Sequence, residues 1–165
     1  RANGSRKNDF AYMLSELAFN ALFYSNVINM NSKQCLKMLA ESLVLSGLAM
    51  EIAGNSRPCS GSEHLFSHAL DELYGLNIPH GLQVALGSIV ACMLQKRDHF
   101  MLLNYLQSYN ISVNPITMGI SKDQFVRAWE YAPQTRIDRY TILNEIEKSE
   151  TVFTDIYNTL VEVCP

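Results

Sequence analysis

Apolar residues return at steps of three and four along nearly the whole chain, and that period dictates helices. Phe10, Met13, Leu14, Leu17, Ala18, Ala21 and Leu22 set the pattern first. Asn8 and Asp9 stand before them as capping residues, so a helix is expected from there to about Asn29. Asn31 and Ser32 cap a second helix through Cys35, Leu36, Leu39, Leu43 and Leu48 to Gly54. It is apolar almost all round, which predicts a central position. NSRPCSG reads as loop, and Ser62 then caps a third helix from Glu63 to Tyr74, stopped by Gly75. Pro79 keeps the connector LNIP out of helix. A fourth helix starts at His80 or Gly81 and runs to about Gln95, and a fifth covers Asp98 to Tyr109. A sixth runs from near Lys122 to near Ala132, where Pro133 follows. A short helical piece spans Ile142 to Ile146, and Ser149 or Thr151 opens a last helix to Val163. Only NISVN alternates with the strand period. The expectation is an all-α fold, a bundle of about six to eight helices in one domain over residues 1–165. Residues 1–8 read as a linker or a cut end.

Composition narrows the partners. Nearly half of the 165 residues are apolar, enough for a core without disulfide or metal staples. Net charge is −3 and the basic residues are scattered, so nucleic acid is not an expected partner. Cys35, Cys59, Cys92 and Cys164 form no CxxC pair. That spacing predicts free thiols in a reducing cytoplasm, not a zinc ribbon or a disulfide scaffold. No signal peptide is visible, and the longest apolar run, 36–53, is broken by Lys37, Glu41, Ser42 and Glu51, so no membrane span is expected. A Gly-rich strand-to-helix turn for a pyrophosphate is also missing from the sequence, so the chain carries no dinucleotide fold of its own.

Chemistry concentrates in 56-SRPCSGSEHLFSHALDELYGLNIPHGLQVALGS-88, which holds His64, His68 and His80. Residues i and i+4 share a helix face with Cβ atoms roughly 6 Å apart, so His64 and His68 point the same way. His80 opens the next helix after a turn short enough to fold back. A divalent metal takes neutral imidazole nitrogens at about 2.0–2.1 Å, and all three histidines qualify as ligands on spacing. A polar helix face is the plain alternative. Glu63, Asp71 and Glu72 are close in sequence. Ser60, Gly61 and Ser62 precede a helix start with Arg57 upstream, a setting for an anion or, more simply, for N-capping by Ser62.

SRPCSGSEHLFSHALD followed by PHGLQVALGSI resembles the metal-binding half of the iron-containing alcohol dehydrogenase, glycerol dehydrogenase and dehydroquinate synthase superfamily. Within it, the resemblance is nearest to glycerol-1-phosphate dehydrogenase-like proteins. The stretches 136-RIDRYTILNE-145 and NDFAYMLSELAFNAL are similar too. The resemblance implies an N-terminal Rossmann-like domain joined to a C-terminal helical domain, with the active site in the cleft between them. This chain is similar to the second half alone, so NAD(P) is expected to bind mainly to a domain absent from the chain. The resemblance further implies that His64 and His80 are ligands of a divalent metal, Zn or Fe, and that His68 is a catalytic residue that relays a proton or positions substrate. Arg57, Ser62 and Glu63 are implied substrate contacts. The family's third ligand is acidic, and no motif here matches it; Asp9 is the nearest early acid. Leu82 stands where many relatives carry Glu after His-Gly, which implies an altered outer shell around the metal.

The implied activity is NAD(P)-dependent oxidation of a small polyol or polyol phosphate, with the isolated chain inactive. The implied partners are the nucleotide-binding domain, the substrate and further copies of the protein. A dehydroquinate synthase-like lyase domain and a non-catalytic helical module with a vestigial metal site are the alternatives.

Overall fold

A computed structural model describes residues 8–25, 29–147 and 149–164. Its described residues form seven α-helices and two short 3-10 turns, with no strand among them, as the helical period predicts. Contacts divide the chain into two compact units, Arg1–Ser60 and Gly61–Pro165.

The first unit is a pair of helices, α1 (Asp9–Phe23) and α2 (Lys33–Ala53). The Asn8 side chain accepts from the Ala11 N–H at 3.0 Å, and Ser32 Oγ accepts from the Cys35 N–H at 3.1 Å, so both anticipated caps form. Gly54 ends α2 at φ 65°, where a residue with a Cβ is strained. Asn8 Nδ2 also donates to the Ile52 carbonyl at 3.2 Å, tying the start of α1 to the end of α2, so the two run antiparallel. The seam between them is built from small residues. Ala11 and Ala18 are buried on α1, and Cys35, Ser42 and Ala49 are buried at seven-residue steps on α2. Small side chains in heptad register let two backbones approach closely and turn the large residues outward. Phe10, Leu17, Leu36, Leu43, Val44 and Leu48 are accordingly exposed. The expected central position of α2 is therefore corrected: its apolar girth is not covered. The first helix is also shorter than anticipated, ending at Phe23, and 26–28 lie outside the described residues. A 3-10 turn, Arg57–Cys59, closes this unit, and Cys59 Sγ sits 3.6 Å from the Ser46 carbonyl.

The second unit holds α3 (Ser62–Tyr74), α4 (His80–Leu94), α5 (His99–Ser108), α6 (Lys122–Thr135) and α7 (Glu150–Val163). Its core is aromatic. Phe66 of α3 stacks on Trp129 of α6 with centroids 4.5 Å apart, and Trp129 stacks in turn on Phe153 of α7 at 5.9 Å. Phe125 meets Phe66 and Tyr157 edge-on at 5.5 and 5.4 Å. Phe66, Phe125, Trp129 and Phe153 are wholly buried, and Tyr157 buries its ring while its hydroxyl donates to the Ile120 carbonyl at 3.1 Å.

Local signals set the boundaries here as well. Asp98 caps α5, a Ser121–Gln124 capping box opens α6, and Ser149 caps α7. Two expectations are corrected. Gly61, not Ser62, is the N-cap of α3; Ser62 is the first helical residue, and its side chain caps nothing. Pro133 does not end α6, which continues to Thr135. Close to a helix end, proline forfeits one backbone bond, a loss the last turn tolerates. All four cysteines are free. No helix among the described residues is long and apolar enough to cross a membrane.

Candidate metal centre

The site grows from how α3 and α4 meet. Gly75 takes φ 56° after Tyr74, and the connector to Pro79 folds α4 back onto α3. Gly87 lies at the closest approach: a Cβ built there would stand 2.9 Å from Glu63 Cα and 3.0 Å from the Glu63 carbonyl oxygen. Only a hydrogen fits, so the two backbones pack closely. The consequence appears at the N-terminal ends of both helices. The rings of His64 and His80 come together tilted by 57°, with centroids 5.5 Å apart, and His68 is 6.4 Å from His80. Two imidazoles that share one cation through nitrogens at about 2 Å require centroids within roughly 6 Å. His64 and His80 meet that requirement, while His68 stands slightly farther off.

Each of the paired rings is held at Nδ1. His64 Nδ1 lies 2.9 Å from Glu63 Oε1, and the same oxygen accepts from the Gly61 N–H at 2.6 Å. Burial raises the Glu63 pKa, but the bonds from His64 and Gly61 outweigh it and hold the carboxyl below its ordinary range. His80 Nδ1 lies 2.8 Å from Ser67 Oγ. Ser67 Oγ also bonds Gln83 Oε1 at 2.6 Å, and Gln83 Nε2 bonds Asp71 Oδ1 at 2.9 Å and the Ile78 carbonyl at 3.1 Å. With both Nδ1 atoms engaged, the Nε2 atoms are the donors left for a cation, an arrangement in which outer partners orient metal-binding imidazoles. The donor set fits a borderline divalent ion such as Zn²⁺ or Fe²⁺. Two imidazoles alone do not complete a shell: among the described residues, no group of three or more His, Cys, Asp or Glu side chains is arranged to hold a metal.

His68 lies beside this pair, half-buried. Burial lowers its pKa first; the Arg136 charge lowers it further, as do the other two histidines, against an upward pull from Asp71. The ring is neutral at neutral pH and able to take a proton. Arg136, from the RIDRY stretch, is the C-cap of α6, which packs on α3 and brings its charge to His68.

The remaining anticipated residues divide. Glu63 points at His64 and at the start of its own helix. Ser62 is buried at 3% exposure. Arg57 and Asp9 belong to the first unit. Leu82 is half-buried, and the partner of His80 is Ser67 of α3, not residue 82. Sequence reasoning passed over Ser67, Gln83 and Gly87. Its helical period did carry a signal: Ser67 follows His64 by three, Gln83 follows His80 by three, and Asp71 follows Ser67 by four, so each lies on the face of a histidine or of its partner.

The sequence relatives of this all-helical chain are dehydrogenases, and it aligns with a part of each. Over most of its length its homologues are glycerol-1-phosphate dehydrogenases [NAD(P)+]. The chain is 37% identical to the one from Hyperthermus butylicus over 146 residues, which is 88% of this chain and 42% of the relative. It is 40% identical to that of Korarchaeum cryptofilum over 82% of this chain and 45% of the relative. For Saccharolobus solfataricus the identity is 35%, over 86% of this chain and 40% of the relative. The chain thus spans less than half the length of the curated relatives it matches. No family model matches it.

Proposed function

We propose that this chain is the metal- and substrate-binding part of an NAD(P)-dependent dehydrogenase acting on a polyol phosphate, glycerol-1-phosphate in the first instance. The observation that carries the reading is the pair of imidazoles, His64 and His80, held 5.5 Å apart with both Nδ1 atoms bonded. When bound, the metal supplies Lewis-acid polarisation of a substrate hydroxyl, and the nicotinamide supplies hydride chemistry. This chain's residues provide the setting. His64 and His80 offer Nε2 lone pairs. Glu63 fixes the His64 ring and adds negative charge beside it. His68, neutral and adjacent, takes the hydroxyl proton or passes it to solvent. Arg136, whose charge reaches His68, favours an anionic substrate. Arg57 and Ser62 keep the substrate-contact role that the motif they share with the superfamily implies. The nucleotide is assigned mainly to a domain outside this chain, as the family resemblance implies. The free thiols suit a reducing cytoplasm.

Metal analysis of the purified chain tests the site. Zinc or cobalt is expected to bind, and both His64→Ala and His80→Ala are expected to abolish it. Equal metal content in the three proteins overturns the site. Joined to a nucleotide-binding part from a relative, the chain is expected to support glycerol-1-phosphate-dependent reduction of NAD(P)+. A reconstituted protein that holds metal and oxidises no polyol phosphate overturns the activity. Consumption of a sugar-acid phosphate with no net change in NAD(P)H favours the lyase alternative.

A further inference from the structure

The hydrogen bonds behind His80 form a chain whose direction is forced. The Asp71 carboxylate and the Ile78 carbonyl only accept, so the Gln83 NH₂ must face them, at 2.9 and 3.1 Å. That fixes Gln83 Oε1 toward Ser67. An amide oxygen also only accepts, so the single Ser67 hydroxyl hydrogen goes to it, at 2.6 Å. Ser67 then has only lone pairs to offer His80, at 2.8 Å, and His80 Nδ1 must be the donor. A neutral imidazole carries one proton, so Nε2 is left bare. Ser67 is wholly buried and Gln83 is 1% exposed, so water does not compete for the bond between them, which sets the direction of the chain.

We propose that Ser67, Gln83 and Asp71 are positioning residues that lock His80 in the tautomer whose Nε2 lone pair is free to bind a cation. Its purpose rests on the metal reading above; its geometry does not. The direction is set by Gln83, because Ser67 is a two-way group and turns whichever way its other partner requires. Asp71 is the weakest member, since the Ile78 carbonyl alone still orients the Gln83 amide.

The test reads the tautomer directly. In the metal-free chain labelled with ¹⁵N at histidine, long-range ¹H–¹⁵N correlations are expected to show His80 as a single Nδ1–H species. Gln83→Met keeps the volume and removes both amide functions. The Ser67 hydroxyl is then free to donate to Nδ1, and His80 is expected to switch to Nε2–H. Ser67→Ala is expected to give a mixture, and Asp71→Ala to leave the native signal. Cobalt(II) affinity should follow, falling about 10–100-fold for Gln83→Met and staying near native for Asp71→Ala. Circular dichroism checks helicity; if Gln83→Met does not fold, Ser67→Ala, which removes one atom, carries the test.

A native His80 in the Nε2–H form or an equal mixture overturns the proposal, as does an unchanged tautomer in a folded Gln83→Met or Ser67→Ala chain. A native chain with the Nδ1–H signal that binds no cobalt leaves the relay standing and removes the metal reading instead.

Discussion

The two units bury their residues by opposite means. Residues 1–60 join two helices along Ala11, Ala18, Cys35, Ser42 and Ala49, side chains too small to enclose anything. Residues 61–165 close five helices over stacked rings of Phe66, Trp129 and Phe153. Burial of large apolar groups supplies most of the stability of a fold, and small seams supply close approach instead. The paired histidines lie on α3, the helix that carries Phe66, and on α4 packed against it. A constellation that must hold its geometry within a fraction of an ångström belongs on the well-packed side.

Breaking the aromatic core should have the largest effect. Trp129→Ala is expected to cost about 3–5 kcal/mol, read as an earlier urea midpoint for probes in 61–165. Amide exchange in α1 and α2 should change little. If both units lose protection together, they behave as one cooperative body and the contrast drawn above fails. Gly87→Ala comes next, at about 1–3 kcal/mol, because the new methyl group meets backbone at Glu63 and not a flexible side-chain tip. It should also weaken cobalt binding by spreading α3 from α4; undiminished affinity would show that the close approach is not what pairs the rings. Ala18→Leu in the small seam should fall at the lower end of the same range, since two lone helices separate more readily than a closed core, and thermal melting followed by exchange in α1 measures it. Leu43→Glu, on the exposed side of α2, should stay within about 0.5 kcal/mol. A loss of several times that would mean the outer face of the pair is covered in solution.

Much of this was legible in the chain. Asn8, Ser32, Asp98, Ser121 and Ser149 start helices because their side chains accept from the first-turn N–H groups, a local rule that needs no tertiary knowledge. Helix spacing and a short turn made His64, His68 and His80 neighbours; the choice of His64 with His80 came from the family resemblance. What failed depended on neighbours. An apolar girth suggested that α2 lies inside, yet girth does not say what covers it. Pro133 looked like a stop, and its position in the final turn made it harmless. Ser67 and Gln83 looked like ordinary polar residues, because their link exists only once α3 and α4 are set in register by Gly87. Leu82 drew attention as an altered outer-shell position, while the partner of His80 Nδ1 is Ser67 on the facing helix.

The brief turn between α3 and α4 has a kinetic consequence. Every group behind the paired imidazoles lies on one helical hairpin, and closing a short loop carries a small entropic penalty. Contacts near in sequence form early in folding, ahead of those that bring distant helices together. A growing chain therefore pairs the two imidazoles before α6 and α7 have arrived to close the aromatic core. The hydrogen bonds that pair the imidazoles are in a position to form ahead of the aromatic core, not merely to follow it.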